Sequence, residues 1–164
     1  LVLLFMGFFS FGKAQTNFPD AYLGTWKGVL RIEPAGAEVP MTLQLGPAIT
    51  KDSVYEYVLT YHGKTEDVRR YELHVVDKRK GIFSVDEKNS IILAERLVGN
   101  KLISIFSVQG SALLITLELK ENEIVFEVVS WPADNPQTSG GKDDIPPVHS
   151  YTANAYQRAI LKRN

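Results

Sequence analysis

Gly24-Thr25-Trp26-Lys27-Gly28-Val29-Leu30-Arg31-Ile32 is the stretch that decides the fold of this chain. Trp26, Gly28, Leu30 and Ile32 fall on one face, and Lys27, Val29 and Arg31 on the other. A period of two is that of a strand, whose successive side chains point to opposite sides of a sheet. Pro34-Ala35-Gly36 then ends the run at a turn.

The same period persists to the end of the chain. Met41, Leu43 and Leu45 alternate with Thr42 and Gln44, and Gly46-Pro47 is expected to break that run. Tyr55, Tyr57, Leu59 and Tyr61 alternate with Glu56, Val58 and Thr60, up to a turn at His62-Gly63-Lys64. Tyr71, Leu73 and Val75 face away from Arg70, Glu72 and His74, and a short strand is expected over Ile82 to Val85. Ile91 to Leu97, Lys101 to Val108, Ala112 to Leu119 and Glu123 to Ser130 follow. Gly99-Asn100, Gln109-Gly110-Ser111 and Glu121-Asn122 join these last four. Closely spaced hairpins of this kind predict an antiparallel meander.

Trp131 to Val148 interrupts the rhythm with four prolines, two adjacent glycines and Asp143-Asp144. A connection of that length is a lid over one end of the fold or a plain surface loop. Ser150 to Lys162 is expected to form the last strand, with Tyr156, Arg158 and Ile160 on one face. Ala153, Ala155 and Ala159 leave a helix open as the alternative.

The whole chain has 164 residues, enough for one domain with its own core. Its formal net charge is -1, and Lys and Arg are scattered among acids, which argues against nucleic acid as a partner. Residues 1–12 are an apolar run, too short to cross a bilayer comfortably, followed by Lys13-Ala14-Gln15. The expectation is a signal peptide over residues 1–15 and one domain over 16–164, with no membrane-spanning segment in the mature chain. A buried N-terminal strand or helix is the alternative. Cysteine is absent, so no disulfide, N-terminal lipid anchor or thiol chemistry is expected. A soluble periplasmic or secreted protein is expected.

About ten strands can be counted, near the size at which an open antiparallel sheet curls or splits. Closure removes both exposed edges. Ile91 to Leu97 and Leu113 to Leu119 carry one apolar face, while the other is read as mixed, with Glu95, Arg96, Thr116 and Glu118. One dry and one wet side fit a barrel wall and equally half of a sandwich.

Gly24 and Trp26, placed at the mouth of the first strand, resemble the Gly-x-Trp signature of the lipocalin and fatty-acid-binding-protein (calycin) superfamily. The resemblance implies an all-β fold: a single antiparallel up-and-down β-barrel of about eight to ten strands. It also implies that the Trp packs across the closed end under a basic residue of the last strand. That residue is Arg158 or Arg163, and Arg158 is preferred for sharing a face with Tyr156. The barrel-closing set is therefore Gly24, Trp26 and Arg158. The chain departs from the lipocalins in lacking a Thr-Asp-Tyr motif, a disulfide and a clear C-terminal helix, which favours a divergent ten-stranded bacterial relative, or a shape between the lipocalins and the fatty-acid-binding proteins, over the eight-stranded proteins.

If Trp26 faces inward, Tyr55, Tyr57 and Tyr61 form a stripe that offers rings and hydroxyls to a ligand, unless the register places them outside. His62, His74 and His149 show no metal-ligand spacing, and no nucleophile motif occurs. No cofactor, metal or catalytic residue is expected. The function expected is noncovalent binding of a small, largely hydrophobic molecule. The alternative is a structural or protein-interaction module with a filled core, because the interior positions are nearly all large. An enzyme ranks third.

Overall fold

The computed structural model describes residues 17–164, so the expected export signal over residues 1–15 lies outside the described residues. A short 3-10 turn, Asp20–Tyr22, leads into the first strand. The strands are β1 (Gly24–Glu33), β2 (Ala37–Thr50), β3 (Val54–His62), β4 (Glu66–Asp77), β5 (Ile82–Asp86), β6 (Ile92–Val98), β7 (Lys101–Val108), β8 (Ser111–Leu119), β9 (Glu123–Pro132), β10 (Gln137–Ser139), β11 (Val148–Ser150) and β12 (Ala155–Arg163). Ten of them close into a barrel in the order β1-β12-β9-β8-β7-β6-β5-β4-β3-β2, every pair antiparallel. The other two, β10 and β11, pair as a small ribbon. This is the expected up-and-down barrel, and closure rules out the sandwich.

The alternation in the sequence sets which side is dry. Trp26 lies opposite Leu43 and Arg163, Leu43 opposite Leu59, and Leu45 opposite Tyr57. Leu73 pairs with Val85, Leu102 with Leu117, and Leu117 with Phe126. These side chains form one buried cluster inside the wall. Burying a side chain of this size stabilises the fold by roughly 2 kcal/mol, so the cluster is the main favourable term. Small residues sit where space runs out. Ala159 lies opposite Phe126. At Gly28 a β-carbon would stand 2.3 Å from the Ile160 carbonyl oxygen and 3.0 Å from Leu161, so β1 and β12 meet closely only because no side chain intervenes.

Two boundaries differ from expectation. Gly46-Pro47 does not end β2: the strand runs on to Thr50, with a register shift between Leu45 and Ala48. A bulge tolerates proline because it leaves the missing N–H outside the ladder. The segment after Ser150 is a strand and not a helix, and it starts only at Ala155. Pairing along both β1 and β9 offers a ladder on each side, which outweighs the helix preference of its alanines. The long connection before it is not featureless, since β10 and β11 lie within it, fully exposed. Trp131 belongs to the end of β9, opposite Ala112 and next to the inward Ser130, and so lies on the outer wall and not over the mouth.

Candidate functional site

One end of the barrel is plugged by the lead-in segment. Phe18 packs edge-on against Phe83 at 5.2 Å, and Tyr22 stacks on Trp26 at 6.2 Å. The Trp26 indole is fully buried, and its Nε1 donates to the Tyr22 carbonyl at 2.9 Å. Trp26 is thus buried against the lead-in segment at this end of the barrel. Gly24 adopts a φ of 129°, outside the usual range of L side chains, and the space beside it is filled by the Arg163 guanidinium.

The basic residue over the indole is Arg163, not Arg158. The Arg163 guanidinium lies 4.4 Å from the Trp26 ring centre and donates to the carbonyls of Leu23 at 2.7 Å and Ala21 at 2.9 Å. Arg158 faces outward, opposite Arg31, with Glu127 at 3.5 Å. The reason is parity. Tyr156, Arg158 and Ile160 do share a face, but it is the outer one, and the odd-numbered residues through Ala159 and Leu161 turn in. The inward face carries Ala155, Gln157 and Ala159 before Leu161, small or polar over most of its length, so the larger apolar residues Tyr156 and Ile160 point to the wrong side. Arg163→Ala is expected to lower stability by about 1–2 kcal/mol, through lost cation–π attraction and two unsatisfied carbonyls. Arg158→Ala, an exposed pair, is expected to change it by about 0.5 kcal/mol or less. Urea denaturation of the two variants checks the assignment, and equal losses would refute it.

Tyr55, Tyr57 and Tyr61 face inward, and they do different work. Tyr55 is committed to the plug: its hydroxyl donates to Asp20 Oδ1 at 2.8 Å, and Lys78 Nζ donates to Asp20 Oδ2 at 2.7 Å. Burial, reinforced by that bond to Asp20, pushes the Tyr55 phenol up to about 12. The hydrogen bond from Lys78 holds the Asp20 carboxyl below its ordinary value. Tyr57 lies mid-barrel and stacks on Tyr71 of β4 at 6.5 Å and 14°. Its burial pushes the phenol well above its usual value, and the nearby Glu95 charge adds to that. Tyr61 stands toward the other end under the Arg69 guanidinium, 5.0 Å from its ring centre. Arg69 is held in turn by Asp67 at 2.9 and 3.1 Å.

Glu95 corrects the sequence reading most. It is not on a mixed outer face. Cross-strand register places it between Phe83 of β5 and Ser104 of β7, both turned into the barrel and each only 1% exposed. Desolvation raises its carboxyl to about 7, against a smaller opposing effect of hydrogen bonding with Ser104. The Ser104 hydroxyl donates to the Ala94 carbonyl at 3.1 Å. A signal was available: Leu93, Glu95 and Leu97 share a face by simple alternation.

Tyr71, Leu93, Glu95, Phe106, Leu113 and Ile115 all turn inward, yet each keeps part of its surface accessible. The cross-strand neighbours Leu73, Phe83, Val85 and Ser104 are covered. The inner wall from β4 to β8 is thus only partly covered. Antiparallel alternation puts the turns after β1, β3, β5 and β7, and the connection carrying β10 and β11, at the end away from the plug.

Outside the wall, Glu72, His74 and Asp86 bring ligand-type atoms within 4.8 Å of one another. Lys88 already answers Glu72, with its Nζ 2.9 Å away, and His74 Nε2 lies 3.2 Å from the same carboxylate. His62 and His149 are elsewhere, bonded to Thr42 and Thr138. Among the described residues no helix is long and apolar enough to cross a membrane.

No protein-family model matches the chain, and no curated protein matches it. Solved structures do. An S-type phycobiliprotein lyase, CPES from Guillardia theta, superposes with a TM-score of 0.59 at 7% identity, covering 88% of this chain and 89% of that one. A variant of the fluorescent protein UnaG gives a TM-score of 0.48 at 14% identity, over 88% of this chain and 96% of that one. EF1p2_mFAP2b bound to DFHBI gives 0.42 at 9% identity, over 88% and 95%. The likeness to the lyase is one of fold alone, a closed antiparallel β-barrel.

Proposed function

We propose that the barrel interior binds one small, largely apolar molecule without covalent chemistry, entering from the end opposite the Trp26 plug. The observation that carries this reading is the partly accessible inner wall of Tyr71, Glu95, Phe106, Leu113 and Ile115, beside neighbours that are fully covered. A filled core would leave those side chains covered as well. Apolar burial drives binding at roughly 25 cal/mol per Å², and a few polar groups orient the molecule. Of the tyrosine stripe, Tyr57 and Tyr61 keep this role, and Tyr71 joins them through its stack on Tyr57. Tyr55 is spent on Asp20. Binding, not catalysis, is the proposed activity. Export to the periplasm or beyond, from the apolar run at residues 1–12, is part of the same proposal. N-terminal sequencing of exported protein tests it, a start near Gln15 supporting the proposal and retained residues 1–12 refuting it.

Titration with a neutral fluorogenic dye such as Nile red tests the interior. Saturable one-to-one enhancement is expected. Ile115→Trp, which extends a ring from the inner wall between Ser104 and Val128, is expected to weaken it by about tenfold or more, some 1.4 kcal/mol. Ile105→Trp, on the outer wall at a side chain already 69% exposed, is expected to leave it unchanged. Equal binding by both variants, or none by the parent protein, would favour a filled core.

A further inference from the structure

We propose that the molecule held in the barrel carries a basic nitrogen, and that the Glu95 carboxylate is its counter-charge. This rests on the reading that the interior takes a small molecule, and it adds the ligand's chemical class.

Glu95 projects from the middle of β6 into the barrel, level with Phe83 and Ser104. A carboxylate removed from water needs a partner charge or several donors. The described residues supply no partner charge and no set of several donors. Among the described residues no Lys, Arg or His forms an ion pair with Glu95. The two inward arginines are committed elsewhere: Arg163 to Trp26 and two backbone carbonyls, Arg69 to Asp67 and the Tyr61 ring. The Ser104 hydroxyl has one hydrogen, which it divides between Glu95 and the Ala94 carbonyl, so it is a single and shared donor. Glu95 nevertheless keeps part of its surface accessible between two covered neighbours, so a bound molecule can reach it.

The surroundings favour a cation over an anion. Tyr57 lies within electrostatic range of Glu95 and stacks on Tyr71, and aromatic faces attract positive charge. The ionisable groups on the inner face are Tyr22, Tyr55 and Arg163 at the plug, Tyr57 beside Glu95, and Tyr61, Tyr71 and the exposed Asp67 and Arg69 toward the other end, with the charge of Glu87, just after β5, acting on Tyr71. A ligand carboxylate at the level of Glu95 would meet like charge. An ammonium would gain a charge-assisted hydrogen bond in a site with little water. Burial already holds the carboxyl partly protonated near neutral pH, which is the state expected of a group whose partner arrives from outside.

Three probes on one carbon skeleton test the class: 2-naphthylmethylamine, 2-naphthylmethanol and 2-naphthoic acid, titrated calorimetrically at about pH 8, where Glu95 is mostly ionised. The amine is expected to bind about tenfold or more tighter than the alcohol, and the acid more weakly than either. Glu95→Gln is expected to erase the amine's advantage and to leave the alcohol within about threefold, a difference of under 1 kcal/mol. Glu118→Gln, on the outer wall, is expected to keep it. The counter-charge proposal falls if amine and alcohol bind alike, if the acid binds best, or if the amine preference survives in Glu95→Gln. In those cases binding of the alcohol that Ile115→Trp abolishes would leave the interior site standing. Absence of binding by all three probes would overturn both readings together.

Discussion

Replacing Trp26 by alanine is expected to destabilise the barrel by about 3–5 kcal/mol, the range for deleting a large aromatic from a close-packed site. The indole is fully buried, stacked on Tyr22, bonded through Nε1 to the Tyr22 carbonyl and covered by Arg163. Its removal opens a void that the strands cannot close, because β1 is fixed between β2 and β12 on both sides. It also leaves the Arg163 guanidinium over empty space and frees the lead-in segment that Phe18 and Tyr22 anchor. Typical domains hold only about 5–15 kcal/mol in all, so the variant stands near the unfolding threshold. Urea denaturation measures the effect. A loss of about 1 kcal/mol or less would mean that the indole does not seal the end.

Glu95→Gln is expected to act in the opposite direction, and only above mildly acidic pH. The Glu95 carboxyl rises from 4.5 to about 7 on folding, chiefly through burial. A folded state that holds its proton more tightly than the unfolded chain is fully favoured below the unfolded value, and loses that advantage as pH climbs through the folded one. The whole shift corresponds to about 3 kcal/mol. Glutamine keeps the shape and removes the charge. The stability of the variant relative to the parent protein is therefore expected to increase by about 2–3 kcal/mol between about pH 5 and pH 8. Taking this difference cancels Asp20, whose lowered carboxyl contributes with the reverse sign at lower pH. A pH-independent difference would place Glu95 in water.

The architecture was legible because period-two alternation is a local property, and because Gly24 and Trp26 sit where a barrel begins. The inward faces of β1, β3 and β4 follow directly from it. What alternation does not carry is partner choice across the barrel. Arg158 and Arg163 differ by an odd number of positions, so only one can face in. The choice turned on whether Tyr156 and Ile160 or the small Ala159 marked the interior. Glu95 was misplaced for a related reason. Charged side chains are seldom buried, so composition points a glutamate among leucines to the wet side although its spacing puts it on the dry one. Such conflicts between composition and spacing are where a functional residue is to be sought. The commitment of Tyr55 to Asp20 spans 35 positions, and no local pattern announces a contact of that kind.

The central claim is that the space bordered by β4 to β8 receives an apolar molecule. Methyl-resolved NMR during titration with 2-naphthylmethanol tests it most directly. The largest shift changes are predicted at the inward methyls of Val85, Leu93, Leu113 and Ile115, with Val76, Ile92 and Ile105 on the outer wall unmoved. Changes confined to the outer methyls, or none at all, would contradict it.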